Sequence, residues 1–255
     1  MKRSFYLVAM MVAVLSFTSC DKDDDVEVEK VIVLETDFNK AANGLKSASE
    51  TGPGNTTTDG WAAVYAEYPK VDTEFYELVS GIKNLPAPLD QTKKAFMLSG
   101  NNHSDALQMF LVKQLSGLAP QTKYTIETEV ELASQYPDGS VGIGGSPGNA
   151  VHLVSKFATN GYTLEEGKDE RDNVKLVLNK VESVPESVLN IDLGDVSIPS
   201  EKYEYQLITR KKSSSSTVVI SDSQGKLWAV VGTWSGFEGI SVLYYTKIKI
   251  TLTKN

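Results

Sequence analysis

Apolar and polar residues alternate with a period of two along much of this chain, and long helical periodicity is scarce. Successive side chains of a strand point to opposite faces, so this alternation marks half-buried strands. The clearest case is residues 124–132. Tyr124, Ile126, Thr128, Val130 and Leu132 share one face, and Thr125, Glu127, Glu129 and Glu131 share the other. The last strand repeats the pattern. Val242, Tyr244, Thr246, Ile248, Ile250 and Leu252 are expected inward, with Tyr245, Lys247, Lys249 and Thr251 outward. The acidic row on one strand and the lysines on the other suit neighbouring strands, because opposite charges across a pair stabilise it. Residues 227–231 are apolar on both faces and read as a central strand covered on both sides.

Further strands are expected at 30–34, 62–65, 75–79, 95–98, 106–115, 151–157, 174–181, 203–209 and 218–221. Asp138-Gly139, the glycine-rich run 142–148, Pro185, Pro199 and the serines 213–216 supply turns and loops. Residues 221–225 read as a hairpin turn, and 43–60 as a long loop rich in Ser, Thr, Gly and Asn. Many short strands between frequent turns predict an all-β chain: one antiparallel β-sandwich over residues 29–255. No internal repeat points to a propeller or solenoid.

The first nineteen residues read differently. Lys2 and Arg3 precede an apolar stretch from Phe5 to Phe17, and the small residues Thr18 and Ser19 follow. That order is a secretory signal, too short to span a bilayer. Cys20, the only cysteine, stands where the cut falls. Leu15-Ser16-Phe17-Thr18-Ser19-Cys20 resembles a bacterial lipobox, with Phe17 in the usual place of Leu. The resemblance implies cleavage before Cys20 and a membrane anchor of acyl chains on that residue. Residues 20–28 form an acidic tether. Its Asp21-Lys22-Asp23-Asp24-Asp25 resembles the export signal of surface lipoproteins in one Gram-negative phylum. That implies an outer-membrane protein facing the cell exterior. Residues 1–19 hold two cations and no acid, so the formal charge of −8 becomes −10 without them. Such a surface repels nucleic acid, and no basic stripe with interleaved aromatics is present.

Leu115-Ser116-Gly117-Leu118-Ala119-Pro120-Gln121-Thr122-Lys123-Tyr124 resembles the turn that feeds a long strand in fibronectin-like modules and galactose-binding-like jelly rolls. Leu243-Tyr244-Tyr245-Thr246-Lys247-Ile248 resembles the last strand of jelly-roll carbohydrate-binding modules. These resemblances imply a jelly roll of the galactose-binding-like kind. The modules often carry Asp near the place of Thr246, where it helps hold a structural calcium. The Thr here departs from that pattern. The segments 99–105, 142–148 and 232–239 resemble a bacterial extracytoplasmic group of uncharacterised activity.

No catalytic constellation stands out. Asn101-Asn102-His103-Ser104-Asp105 is the densest polar cluster. On an extended chain His103 and Asp105 share a face and Ser104 opposes them, so the three cannot form a triad. His103, His152 and Asp105 have no metal-site spacing. Gly142 to Gly148 lacks the Lys and Ser/Thr of a phosphate loop. Residues 221–228 partly resemble the Asp-box hairpin of sialidase-type propellers, but a single imperfect copy without repeats is most simply a hairpin. Trp228, on an all-apolar strand, is expected in the core. Trp61 and Trp234 are expected to be partly exposed. The candidate ligand-binding set is Trp61, Tyr65, Asn101, Asn102, His103, Asp105 and Trp234. Aromatic rings there would stack on sugar faces, and amide and carboxylate oxygens would bond the hydroxyls. The expected function is non-catalytic binding at the cell surface, with a glycan as partner. The alternatives are a surface-polymer hydrolase using His103 and Asp105, and an adhesion or assembly subunit docking to another surface protein.

Overall fold

A computed structural model describes residues 31–41, 60–70, 73–167 and 172–255. The signal segment 1–19, Cys20, the tether 20–28 and nearly all of the 43–60 loop lie outside the described residues. In chain order the elements are β1 (Val31–Asp37), α1 (Phe38–Ala41), β2 (Ala62–Ala66), β3 (Tyr68–Pro69), β4 (Val79–Asn84), β5 (Lys94–Asn102), β6 (Gln108–Leu115), β7 (Lys123–Ser134) and β8 (Val151–Ala158). Then follow β9 (Tyr162–Glu166), β10 (Asn173–Leu178), β11 (Val188–Asp195), β12 (Gln206–Ser213), β13 (Val219–Ile220), β14 (Leu227–Ser235) and β15 (Gly239–Lys254).

One sheet has the order β12-β7-β15-β5-β4, with β1 also on β15 and β13 on β7. The second has the order β11-β8-β14-β6-β2, and a small third sheet is β3-β10-β9. From β5 onward the chain crosses repeatedly between the two large sheets. The run β12-β7-β15-β5 faces β11-β8-β14-β6, which is the double Greek key of a jelly roll. The chain is therefore an antiparallel β-sandwich of jelly-roll type, as its alternation and motifs predict. Between the sheets lie Tyr124, Ile126, Val130 and Leu132 of β7, Met109 and Leu111 of β6, and Leu153 and Phe157 of β8. Burying a large apolar side chain contributes about 1.5–3 kcal/mol each.

β14 is covered on both sides. Leu227, Ala229 and Val231 face the main core. Val230 faces outward into a second cluster with Val64, Phe110 and Val112, roofed by Tyr162, Leu176 and Leu178 of the small sheet.

β15 departs from its expected alternation. Ser241, Leu243 and Tyr245 are buried, and after them Ile248, Ile250 and Leu252. The pairing with β7 shifts register between Tyr245 and Lys247. Thr246 is the extra residue of a β-bulge, which reverses the parity of the strand. Val242 and Tyr244 are thus outward and Tyr245 inward, the reverse of expectation. The bulge is capped by Thr246 Oγ1, which donates to the Glu131 carbonyl oxygen (2.9 Å) and Oε1 (2.7 Å).

Three further corrections concern connections. Residues 73–77 form a turn, and the strand there begins only at Val79. β9 and β11 were not expected from the sequence. The turn at 221–225 is tight, with Asp222 Oδ1 accepting from the amides of Gln224 and Lys226 (both 2.8 Å). It is not a hairpin, because β13 pairs with β7 in one sheet and β14 with β6 and β8 in the other.

The acidic row of β7 does lie beside the lysines of β15. Lys247 is opposite Glu131 and Lys249 opposite Glu129. On the far side of β15, Asp37 faces Lys247 and Glu35 faces Lys249. On the far side of β7, Lys211 is opposite Glu129 and reaches Glu127 at 2.8 Å. Charges of alternating sign thus run across four strands. The double variant Lys247→Glu/Lys249→Glu places like charges on both sides of β15. It is expected to lower unfolding stability in urea by about 1–3 kcal/mol, less at high salt. An unchanged urea midpoint would contradict the ladder.

Candidate functional site

Register brings one row of side chains together on the outer face of the second sheet. Asp195, His152, Trp234, Gln108 and Ala66 lie side by side across β11, β8, β14, β6 and β2. Two residues along, Gly232 lies between Val154 and Phe110. Two further on, Val230 lies between Lys156 and Val112. The small sheet roofs the Phe110 and Val230 region and leaves the Trp234 end open.

Trp234 is 39% exposed. Its ring stacks on the imidazole of His152, with centroids 5.0 Å apart and planes at 24°. The pair holds the indole upright on the sheet, so its orientation costs little entropy on binding. Beside it, Gln108 Oε1 is buried without a hydrogen-bond partner among the described residues. Lys156 lays Nζ 4.9 Å from the Phe110 ring centroid. Burial pushes its ammonium pKa down, and the Glu67 charge opposes that only in part.

The Asp195 end of the row is rigid. Asp195 Oδ1 accepts from the Ser197 amide (3.0 Å) and hydroxyl (2.6 Å), and Oδ2 from Asn149 Nδ2 (3.0 Å). Arg210 Nε donates to the Asp195 carbonyl at 2.9 Å. Asn149 Nδ2 also reaches Asp138 Oδ1 at 2.8 Å, which ties the glycine-rich loop to β11. Burial works to raise the Asp195 carboxyl, but the donors Ser197, Asn149 and Arg210 outweigh it and hold the group below the usual carboxylate range.

The residues expected to form a site do not assemble as one. Trp61 is 1% exposed and belongs to the core. Its Nε1 donates to Thr36 Oγ1 at 3.0 Å and its ring meets Phe38 edge-on. Trp61 is five residues from Ala66, the residue in the Trp234 row, so about 17 Å separates them along the strand direction. Tyr65 is also in the core, with its hydroxyl donating to the Val79 carbonyl at 2.6 Å. Both are corrected: neither ring can meet a ligand without unpacking the sandwich.

Asn102 is buried and structural. Its Nδ2 donates to the carbonyls of Ser235 (2.9 Å) and Phe237 (2.7 Å), and its Oδ1 accepts from the Ser104 amide (3.1 Å). It fixes the backbone that follows Trp234. Asn101 Nδ2 donates to Glu77 Oε1 at 2.9 Å. His103 stacks on Phe75, centroids 3.8 Å apart, with its edge near Tyr76. Asp105, at φ 58°, lays Oδ1 against Gly144, where a Cβ would come within 2.5 Å. His103 and Asp105 therefore turn to different partners. His103 and His152 each stack on a different aromatic ring. Among the described residues no group of three or more His, Cys, Asp or Glu could hold a metal ion. The residues missed were His152 as the support of Trp234, Gln108, Asn149 and Asp195.

No family model matches the chain, and no curated protein matches it in sequence. Solved structures similar to it include a cyclase from Fischerella sp. TAU, at 14% identity, covering 87% of this chain and 98% of that one, with a TM-score of 0.37. The carbohydrate-binding module TmCBM27, described for specific mannan recognition, matches at 10% identity over 87% and 97%, with a TM-score of 0.36. The K3 cleaved adhesin domain of Lys-gingipain from Porphyromonas gingivalis W83 matches at 13% identity over 87% and 98%, with a TM-score of 0.34.

A carboxyl depressed in the folded state contributes stability above its unfolded pKa and loses it as pH falls through the folded one. Thermal unfolding between about pH 5 and pH 2 is expected to show the wild-type chain losing Tm more steeply than Asp195→Asn, which has no charge to lose. Parallel curves would remove Asp195 from the fold's acid sensitivity.

Proposed function

We propose that this chain is a non-catalytic glycan-binding module, held at the outer membrane by lipid on Cys20 and facing the cell exterior. The observation that carries the binding role is the Trp234–His152 stack, an upright exposed indole on an otherwise polar, open sheet face. A sugar ring offers an apolar C–H face bounded by hydroxyls. An aromatic face flanked by amide and carboxylate groups matches that pattern, and Gln108, Asn149 and Asp195 stand in or beside the same row. The site is formed in advance, as ligand sites usually are.

The anchor rests on the lipobox-like segment and the acidic tract after it. The fold is compatible with that display. Val31, where the described chain begins, pairs with Thr253, whereas Trp234 lies near Gly239 at the other end of β15. Fourteen residues of strand, about 45 Å, separate the two ends. A tether leading into Val31 joins the fold at the end of β15 remote from Trp234.

A second reading, docking to another surface protein, is favoured by exposed apolar side chains at this same end. Phe75, Val141, Ile143 and Ile240 are all open to solvent. Ile143 bridges to Glu238 and Ile240 pairs with Asn101.

A glycan-array screen of the chain lacking residues 1–20 separates the two. The expected result is a reproducible hit that weakens at least roughly tenfold in Trp234→Ala, with Tm preserved. Binding to a confirmed glycan that survives Trp234→Ala would sink the proposed site, and a blank array with a folded sample would move the assignment to protein docking. For the anchor, Cys20→Ser in the full chain is expected to move the protein from the membrane fraction to the soluble one. Retention in the membrane would contradict lipidation at Cys20.

A further inference from the structure

The opposite face of the sandwich, outside the sheet that contains β15, carries a cleft of about 190 Å³. It opens at the Thr246 bulge for a topological reason. Up to Tyr245 the neighbour of β15 is β5, and from Lys247 onward it is β1. The first residue of β5, Lys94, and the last residue of β1, Asp37, therefore abut at the bulge and leave a gap. Asn39 spans it, accepting the Lys94 amide on Oδ1 at 2.9 Å.

Lys93, Lys94 and Lys247 line this cleft together with the carboxylates Asp37 and Glu131. Both carboxylates are engaged. Asp37 is bridged by Lys40 at 3.1 Å, and Glu131 Oε1 accepts the Thr246 hydroxyl. The three lysines form no ion pair within 4 Å among the described residues. Asp90 senses Lys93 through space but takes its hydrogen bonds from Thr92. Three lysines thus line one concave spot of a chain whose formal net charge is −8. Lys94 and Lys247 are half-buried and Lys93 is exposed; Lys247 lies between Asp37 and Glu131 in the charge ladder without an ion pair within 4 Å among the described residues.

The cleft also has an apolar margin. It is lined by the exposed Leu207 and by Leu85, which is buried in a small cluster with Ala95 and Ala133. Leu207, Ala133 and Tyr244 follow in one row across β12, β7 and β15, and Tyr205 meets the Tyr244 ring edge-on at 5.4 Å. An inorganic anion would use the lysines and leave this strip idle. A sugar ring carrying an anionic group uses both, with its C–H face on the exposed Leu207 and its charge among the lysines. We infer that this cleft is a second binding site, separate from the Trp234 face, for a saccharide bearing carboxylate or sulfate groups.

The test is titration calorimetry of the chain lacking residues 1–20 with paired probes: oligogalacturonate against its methyl ester, and dextran sulfate against dextran. At least one charged probe is expected to bind, at least roughly tenfold tighter than its neutral counterpart, with affinity falling as salt rises. Lys93→Gln/Lys94→Gln is expected to weaken that binding roughly tenfold with Tm unchanged, while Trp234→Ala leaves it intact. Which pair responds names the anion. The inference is overturned if no charged probe binds, if charged and neutral probes bind alike, or if the lysine variant binds as the parent does. Loss in Trp234→Ala would also overturn it, by moving the binding to the other face; a blank array leaves this test untouched.

Discussion

β15 has to bury one face along sixteen residues while its neighbour on one side changes from β5 to β1. Strict alternation cannot serve both halves of its sequence. Kept in phase with Leu243 and Tyr245, it would aim Lys247 and Lys249 into the sandwich, and unpaired buried ammonium groups are too costly to keep. One extra residue at Thr246 restores Ile248, Ile250 and Leu252 to the core and puts the lysines outside. The same bulge lines Lys247 and Lys249 up with Glu131 and Glu129, and opens the cleft beside Asp37 and Lys94. Core continuity, the charge ladder and the concave spot on that face all follow from a single insertion, held by the bonds from Thr246 to Glu131.

The second sheet is shaped by what covers it. Gly232 has no side chain to obstruct its neighbours; a Cβ there would come within 2.1 Å of the Met109 carbonyl oxygen and 2.9 Å of Phe110 Cδ1. Phe110 fills that space and is roofed by the small sheet, so the middle of the outer face is dry. The roof ends before the Trp234 row. There the face turns from apolar to polar, and the backbone after Trp234 is pinned by Asn102 at the end of β5. Exposed indole and rigid support arise from the same boundary, which suits a surface that recognises a ligand without changing shape.

Much of this was legible in the sequence. Alternation located β7 and marked β14 as doubly covered, and the charge rows of β7 and β15 predicted their adjacency. The bulge was hidden because both halves of β15 still alternate, and one inserted residue changes only their relative phase. β11 was missed because Asn190, Asp192 and Gly194 resemble loop residues, although Leu189, Ile191 and Leu193 alternate with them. Trp61 was misjudged from Asp59-Gly60 before it; it shares parity with Ala63 and Tyr65, which the structure buries, and turns inward with them. Asn102 looked like a ligand group because its partners, Ser235 and Phe237, are remote in sequence. The His152–Trp234 stack is a cross-strand contact, and no local pattern announces it.

The indole N–H signals of Trp61, Trp228 and Trp234 give the most direct test. In a two-dimensional NMR spectrum of the ¹⁵N-labelled chain these three signals can be assigned by single substitutions and followed as a binding glycan is added. Recognition at the open end of the second sheet requires the Trp234 signal to move, with Trp61, bonded to Thr36 in the core, unchanged. A glycan that binds while Trp234 stays still, or that shifts Trp61 in its place, would contradict it.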